Sequence, residues 1–577
     1  MTTTEMPAEH RSAQSGLWAG VKNRQLQHYP RTAPRVAQLL LVVIITVSLY
    51  YQLYVNGSVS TLLLPKLGMS FQFFVYTLAF GNLLGAFASL AAGLADRVGR
   101  TQIVVAGLLI TSVLTAFVIP AMTSKWPFTI ASFAVAVVEG VVLVASPALV
   151  RDFSPQVGRA TAMGFWTMGP VLGSLVVSVV GTNIIHADTT WQSVYRISGV
   201  VGLVVFVLAF LFLRELAPGI REQLMVSERD RIVVEARAKG IEIDIEQSLR
   251  RPFRQLLKPD IVVSALAVSI LLLVYYTAVG FGTILYQTIF SFDLKDANGL
   301  ANWNWGADAV ALVVVGFLSD RFRVRKPFML VGALGTAVML VVFLYQLGNH
   351  PSYYTLATII SALTIFLAFA YCPWMASFTE TVEDRNPALA ATGLAIWAWI
   401  QRLVVFASFL LLPVIVSSMN PLVTYGGQVS ALSAQYQPEL ATAAAIAPQT
   451  LATLSANPTD TTAQAAAVGQ ISSTDHISPA AATQKLVALG KVPPSALSYL
   501  KTHGVDVQQA AAHSPGEWRN WYWVCFGGAL FFLLCIPLLR GRWSPRAARR
   551  DLAAHERNLQ QEIEQLNLAD APPAITT

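Results

Sequence analysis

The sequence predicts an all-α integral membrane protein, with twelve transmembrane helices in two pseudo-symmetric six-helix bundles. Three observations predict it. Of 577 residues, 54% are hydrophobic and only 12% charged, with a mean hydropathy of +0.55, against about 25% charged in a soluble domain. The apolar residues fall in blocks of ~20, the length that carries a helix across a hydrocarbon core. A short loop text also appears twice, at the corresponding place in each half of the chain.

The first 35 residues are polar and carry Arg11, Lys22, Arg24, Arg31 and Arg35. They lack the early apolar stretch of a signal peptide, so residues 1–35 read as a cytoplasmic tail. Six spans follow, at about 36–57, 71–94, 102–122, 127–149, 160–182 and 197–214, which form a first bundle over 36–214. A charged linker, 215–260, separates it from a second bundle over 261–539. The spans there are about 261–285, 298–318, 328–347, 353–376, 388–416 and 521–539. The block at 298–318 is polar as well as aromatic. It is needed to bring both copies of the repeated loop to one side of the membrane.

Between spans 11 and 12 lies an insertion, 417–519, rich in Ala, Thr, Gln and Ser. It repeats a Pro-x-x-Leu-x-x-Leu pattern at Pro448–Leu454 and Pro494–Leu500. Proline suits a first helical turn, and leucines three apart share a face, so short packed helices are expected. Residues 540–577 form a second tail. With both termini inside, 30 of the 39 Lys and Arg fall in cytoplasmic segments and eight outside. That is the asymmetry expected of a multi-pass protein of a plasma or inner membrane.

The repeated loop reads Gly93-Leu-Ala-Asp96-Arg97-Val-Gly99-Arg100 after span 2 and Gly316-Phe-Leu-Ser-Asp320-Arg321-Phe-Arg323-Val-Arg325-Lys326 after span 8. It resembles the signature loop of the major facilitator superfamily, Gly-x-Leu-x-Asp-Arg-x-Gly-Arg-Arg/Lys. Ala92 stands at the opening glycine of the first copy, and Arg323 replaces the inner glycine of the second. The resemblance covers all twelve spans and implies a transporter whose halves rock about a central cavity. It implies a conformational latch of Gly93, Asp96, Arg97, Gly99, Arg100, Gly316, Asp320, Arg321, Arg325 and Lys326. Asp96 would approach the start of span 11 near Pro387, and Asp320 the start of span 5 near Gly158.

Three ionisable residues lie near mid-span, namely Glu139, Asp308 and Arg402. Each costs ~2.5–3.5 kcal/mol on insertion scales, and such residues face cavities and work there. Arg402 follows Trp399 and Gln401, a combination suited to holding a carboxylate beside an aromatic or apolar body. Tyr51, Tyr275, Tyr276, Asn304 and Trp374 join these three as candidate substrate-binding residues, from spans that line the cavity in the superfamily. An arginine keeps its proton, so proton coupling falls to Glu139 and Asp308. A carboxyl group changes protonation as its surroundings change from apolar to cationic. Much of the superfamily carries Arg-x-x-Gln-Gly on span 4, where this chain has Ala136 and Glu139 before Gly140.

Cys372, Cys525 and Cys535 lie in apolar blocks, no histidines are spaced for a metal, and no phosphate-cradling glycine loop occurs. No enzyme activity, cofactor, metal or nucleic-acid partner is expected. The function expected is secondary active transport of a small organic solute, an anionic carboxylate metabolite, by a proton-coupled symporter acting as a monomer. A proton-driven exporter of drugs or lipophiles is the alternative. A receptor or scaffold that keeps the fold without transporting is a second alternative.

Overall fold

Hydrocarbon offers no partner to backbone N–H and C=O groups, so each apolar block must close its hydrogen bonds within itself as a helix. The computed structural model shows this. It describes residues 24–92, 99–154, 166–217 except 187, 219–220, 252–383 except 323, then 385, 389–539 and scattered positions from 543 to 561. The helices are α1 (Thr32–Leu67), α2 (Phe71–Ala88), α3 (Arg100–Val113), α4 (Lys125–Phe153), α5 (Gly169–Ile184) and α6 (Trp191–Phe212). They continue with α7 (Pro259–Phe290, with a break at Leu272), α8 (Leu294–Phe322), α9 (Lys326–Gln346), α10 (Tyr353–Glu383) and α11 (Ala390–Ile415).

Five insertion helices come next: α12 (Gly427–Gln435), α13 (Gln437–Ala444), α14 (Pro448–Ala456), α15 (Thr461–Asp475) and α16 (Pro479–Gly490). The chain closes on α17 (Pro494–Cys535). Ten of the described helices are long and apolar enough to cross a membrane. The other two places in the twelve-helix arrangement belong to α5, described over 16 residues, and to α8, long but polar.

Packing follows a two-fold repeat. In the first half α3 packs on α4 and α6, α2 on α4, and α1 on α5 and α6. In the second half α9 packs on α10 and α17, α8 on α10, and α7 on α11 and α17. The halves meet through α1 with α7, α2 with α11 and α5 with α8.

Two helices outrun the spans expected for them. α1 runs ten residues past the expected end because Ser58 and Thr61 face the other half. The Ser58 carbonyl accepts from Asn298 Nδ2 at 3.1 Å, and Thr61 Oγ1 donates to Gln287 Oε1 at 2.6 Å. Span 12 is the last part of the 42-residue α17, which begins inside the insertion.

The tail side holds the repeated loop. Gly99, at φ +110°, makes a turn that other residues rarely adopt and starts α3. Arg100 then pairs with Asp152 at the end of α4, 2.8 Å away and buried. The backbone N–H of Thr101 donates to Glu215 at 3.3 Å. Glu215 is fixed because β2 (Glu215–Leu216) pairs in parallel with β1 (Gln25–Leu26), a pairing that periodicity does not announce in so short a segment.

The second copy repeats the arrangement. Arg325, before α9, pairs with Asp320 at 2.6 Å and with Glu380 near the end of α10 at 3.2 Å. Burial pulls the pKa of Arg325 down, but Glu380 and Asp320 outweigh it and raise it above the ordinary arginine value. Lys326 is buried, donating to the Pro537 carbonyl at 3.4 Å, while Arg321 is exposed and Gly316 packs beside Cys372. Gly93, Asp96 and Arg97, and the expected contact points Pro387 and Gly158, lie outside the described residues.

On the opposite side, the insertion is helical as expected. Both prolines open helices, and Leu451, Leu454 and Leu497 pack on a separate small core of Ile446, Ala467, Ile471, Ala482, Leu489, Val492 and Ala496. The segment between α11 and α12 crosses between the halves. Met419 is fully buried, and Asn420 Oδ1 accepts from the Gln72 backbone N–H at the start of α2, 2.9 Å away. Glu517 of α17 anchors the segment through Ser417 Oγ at 3.0 Å and Ser418 N at 2.8 Å.

Four hydrogen bonds join described residues of the two halves: Asn420–Gln72, Thr61–Gln287, Asn298–Ser58 and Asn302–Thr182. All lie toward the insertion side. Loss of a helix-capping oxygen costs ~0.5–2 kcal/mol. Asn420→Ala is therefore expected to loosen this side, seen as faster labelling of a Thr61→Cys probe by an impermeant maleimide. Unchanged labelling would remove Asn420 as a tie.

Candidate functional site

The mid-membrane charges converge from both halves. α2 and α4 approach so closely that a methyl group on Gly140 would lie 2.4 Å from the Gly85 carbonyl oxygen. Arg402, from α11, reaches into this seam. A methyl on Gly85 would stand 3.0 Å from Arg402 Nη1 and 3.0 Å from the Ala136 carbonyl oxygen. One turn along α4, Glu139 is 2% exposed, and neither carboxylate oxygen has a hydrogen-bond partner among the described residues. Arg402 is the cation that acts on Glu139, yet no ion pair or hydrogen bond to a described residue engages its guanidinium. A carboxyl group and a cation from opposite halves thus lie close together with no hydrogen bond or ion pair between them.

Tyrosines surround them. Tyr50 lies within electrostatic reach of both Arg402 and Glu139, and Tyr54 within reach of Glu139. The two rings sit four residues apart on one face of α1, centroids 5.4 Å apart. From α7, Tyr276 accepts a hydrogen bond from Gln401 Nε2 and is also within reach of Arg402. Tyr275 stands edge-on to Tyr276 and to Trp305, each 5.2 Å away. Its hydroxyl lies toward Ser174 of α5, and neither oxygen has a hydrogen-bond partner. Tyr371 of α10 completes the ring, 6.3 Å from Trp397. These side chains are half-buried rather than buried, although they sit between the halves.

Asp308, three residues after Trp305 and one turn along α8, is within electrostatic reach of Tyr275 and Tyr371. It is 5% exposed and makes no hydrogen bond to a described residue.

The remaining sequence candidates sit at the edge of the site or inside one half. Tyr51 is buried within the first half, since successive residues on a helix point about 100° apart and only Tyr50 and Tyr54 face α7. Trp374 is buried within the second half, where Nε1 donates to Ser264 at 2.9 Å and the ring stacks on Phe378 at 4.9 Å. Trp399 packs edge-on against Phe87 of α2 at 5.5 Å, on the tail side of Arg402. Asn304 lines a small cavity between α7, α8, α10 and α17 with Tyr275, Trp305 and Tyr522. In the sequence, Tyr50, Tyr54, Tyr371 and Trp397 do not stand out from their aromatic neighbours as site residues. The four-residue spacing of Tyr50 and Tyr54 was the available signal.

The family model described as Major Facilitator Superfamily matches residues 39–409. The chain belongs to the major facilitator superfamily. Among curated relatives, an MFS-type transporter of Alternaria alternata is 28% identical over 205 residues, 31% of this chain and 38% of the relative. A multidrug resistance protein of Shewanella oneidensis is 31% identical over 125 residues, 22% of this chain and 31% of the relative. The chain thus aligns with about a third of the length of these relatives.

Among solved structures, a bacterial homolog of the human lysosomal transporter Spinster, inward-facing and unoccupied, superposes with a TM-score of 0.52 at 15% identity. The match covers 89% of this chain and 100% of that one. A proton:xylose symporter bound to 6-bromo-6-deoxy-D-glucose superposes with a TM-score of 0.50 at 14% identity, covering 66% and 88%. At these identities the likeness shows the superfamily fold.

Proposed function

We propose that the chain is a secondary active transporter that carries a small organic carboxylate across the membrane together with protons. The observation that carries this reading is the Arg402–Glu139 pair: a permanent cation and a carboxyl group at mid-membrane depth, supplied by opposite halves, neither held by a hydrogen bond. A substrate carboxylate is a natural occupant for Arg402, whose planar fork matches it in two parallel hydrogen bonds. Once the substrate takes the guanidinium, Glu139 loses its counter-charge and takes up a proton, so substrate and proton load together. Asp308 is a second proton carrier, on the far side of the tyrosines. Rocking of the halves about this pair moves the load from one side to the other.

In this reading 36–214 and 261–539 are the moving bundles, and both tails face the cytoplasm of a plasma or inner membrane. The conformation described is the one shut on the insertion side by the four inter-half hydrogen bonds. The Asp320, Arg325 and Glu380 cluster and the Arg100–Asp152 pair brace the tail-side ends of their own halves. The chain works as a monomer, without a cofactor.

The purified chain in proteoliposomes provides the test. A proton gradient, acid on the side of substrate arrival, is expected to raise uptake of labelled organic acids several-fold and a protonophore to abolish the rise. Carboxylate flux indifferent to the gradient would overturn the coupling. Gradient-driven extrusion of lipophilic dyes with no carboxylate flux would overturn the substrate reading in favour of a drug exporter.

A further inference from the structure

From Arg402 a chain of contacts runs to Asp308. Gln401, next to Arg402, donates to Tyr276, Tyr276 meets Tyr275 and Tyr275 meets Trp305, each at 5.2 Å, and Asp308 follows Trp305 by three residues, one turn along α8. One end is therefore cationic and the other a carboxyl group, and the wall between is aromatic. The wall comes from both halves, with Tyr50 and Tyr54 on α1, Tyr275 and Tyr276 on α7 and Tyr371 on α10. Rings in such a wall favour a flat π-bearing body, in offset or edge-to-face contact. A sugar-like body would need fixed amide or carboxyl groups along its length to satisfy each hydroxyl. Here the wall offers mainly tyrosine hydroxyls; the Gln401 amide is committed to Tyr276, and the Asn304 amide lies in the small cavity beside Tyr275 and Trp305.

We infer that the solute is an aromatic monocarboxylate bearing a hydroxyl group at the end remote from its carboxylate. The carboxylate meets Arg402, the ring lies among the tyrosines, and the hydroxyl donates to the partnerless Asp308. The inference rests on Arg402 being the anion site of the proposed transporter and adds the body and the far end of the substrate.

Matched probes test the parts separately on the full-length purified chain, by competition against labelled 4-hydroxycinnamate for binding and for proteoliposome uptake. 4-Hydroxycinnamate and 4-hydroxybenzoate are expected to compete best. Removal of the hydroxyl (cinnamate, benzoate) is expected to weaken competition about tenfold or more, because a buried acceptor is left unpaired. Conversion of the carboxylate to the amide is expected to weaken it by a similar factor, about tenfold. Cyclohexanecarboxylate and succinate are expected to be poorer than benzoate.

Asp308→Asn and Asp308→Ala, in preparations that remain monodisperse with the parent melting temperature, are expected to bring the ratio between hydroxylated and plain acids toward one. If succinate or cyclohexanecarboxylate competes best and its flux still needs Arg402, the aromatic body is wrong while the anion site stands. If the hydroxyl preference survives both Asp308 variants, the assignment of the far end is overturned. If no carboxylate shows Arg402-dependent binding, the transport reading fails with it.

Discussion

Arg402→Leu is expected to cut carboxylate uptake by at least about tenfold and up to a few hundred-fold, the range for a lost charge-assisted hydrogen bond. Folding should survive, because the substitution leaves a neutral side chain in a seam already lined by apolar groups. A preparation with the parent melting temperature but no uptake is the expected pair of results. Arg402→Lys keeps the charge and loses the planar fork, so an intermediate rate is expected. Gly85→Ala gives an independent check. Its new methyl would press at 3.0 Å on both Arg402 Nη1 and the Ala136 carbonyl. The backbone cannot give way as easily as the guanidinium, so Arg402 moves and uptake falls several-fold without any change of charge. Full uptake by the leucine variant would remove Arg402 from the site.

Glu139→Gln is expected to separate exchange from accumulation. Glutamine keeps the size and hydrogen-bonding ability of a protonated acid and cannot release a proton. The variant should still swap labelled for unlabelled substrate across the membrane, since that cycle needs no net proton movement. Accumulation driven by an imposed proton gradient should fall to the level seen without one, and the dependence of uptake on pH between about 5 and 8 should flatten. The sign follows from the arrangement. In the parent chain substrate and Glu139 compete for Arg402, so acid on the loading side favours the substrate by neutralising its rival. Parent-like gradient-driven accumulation by the glutamine variant would remove Glu139 as the proton carrier and move the coupling to Asp308.

The class and the repeat of this fold are plain in the sequence, because membrane helices must be apolar over a bilayer's thickness. The repeated Asp-Arg loop marks corresponding points of the two halves. Arg402, Glu139 and Asp308 stand out for the same reason, as charges where charges are costly. Facing is harder to read. Span 1 offers Tyr50, Tyr51, Gln52 and Tyr54 within five residues, and only the packing of α1 on α5 and α7 decides which point between the halves. Trp374 and Tyr371 pose the same ambiguity on α10: both meet Trp397, but Trp374 is fully buried with its Nε1 bonded to Ser264 of its own bundle, whereas Tyr371 is half-buried. The role of Glu215 was hidden differently. It lies in a segment that reads as linker, and its position depends on a two-residue strand whose partner is 190 positions earlier. Asn420 and Glu517 likewise look like ordinary surface polar residues until the turn between α11 and α12 is placed over α2.

The unbroken course of α17 through the bilayer and into the inserted helices has a mechanical consequence. At 1.5 Å per residue its 42 residues make a rod of ~63 Å, about twice the ~30 Å thickness of the hydrocarbon layer. A swing of ~10° about its inner end carries the outer tip through ~11 Å. In the proposed transport cycle, the inserted helices carried at that tip would be swept along with every turnover.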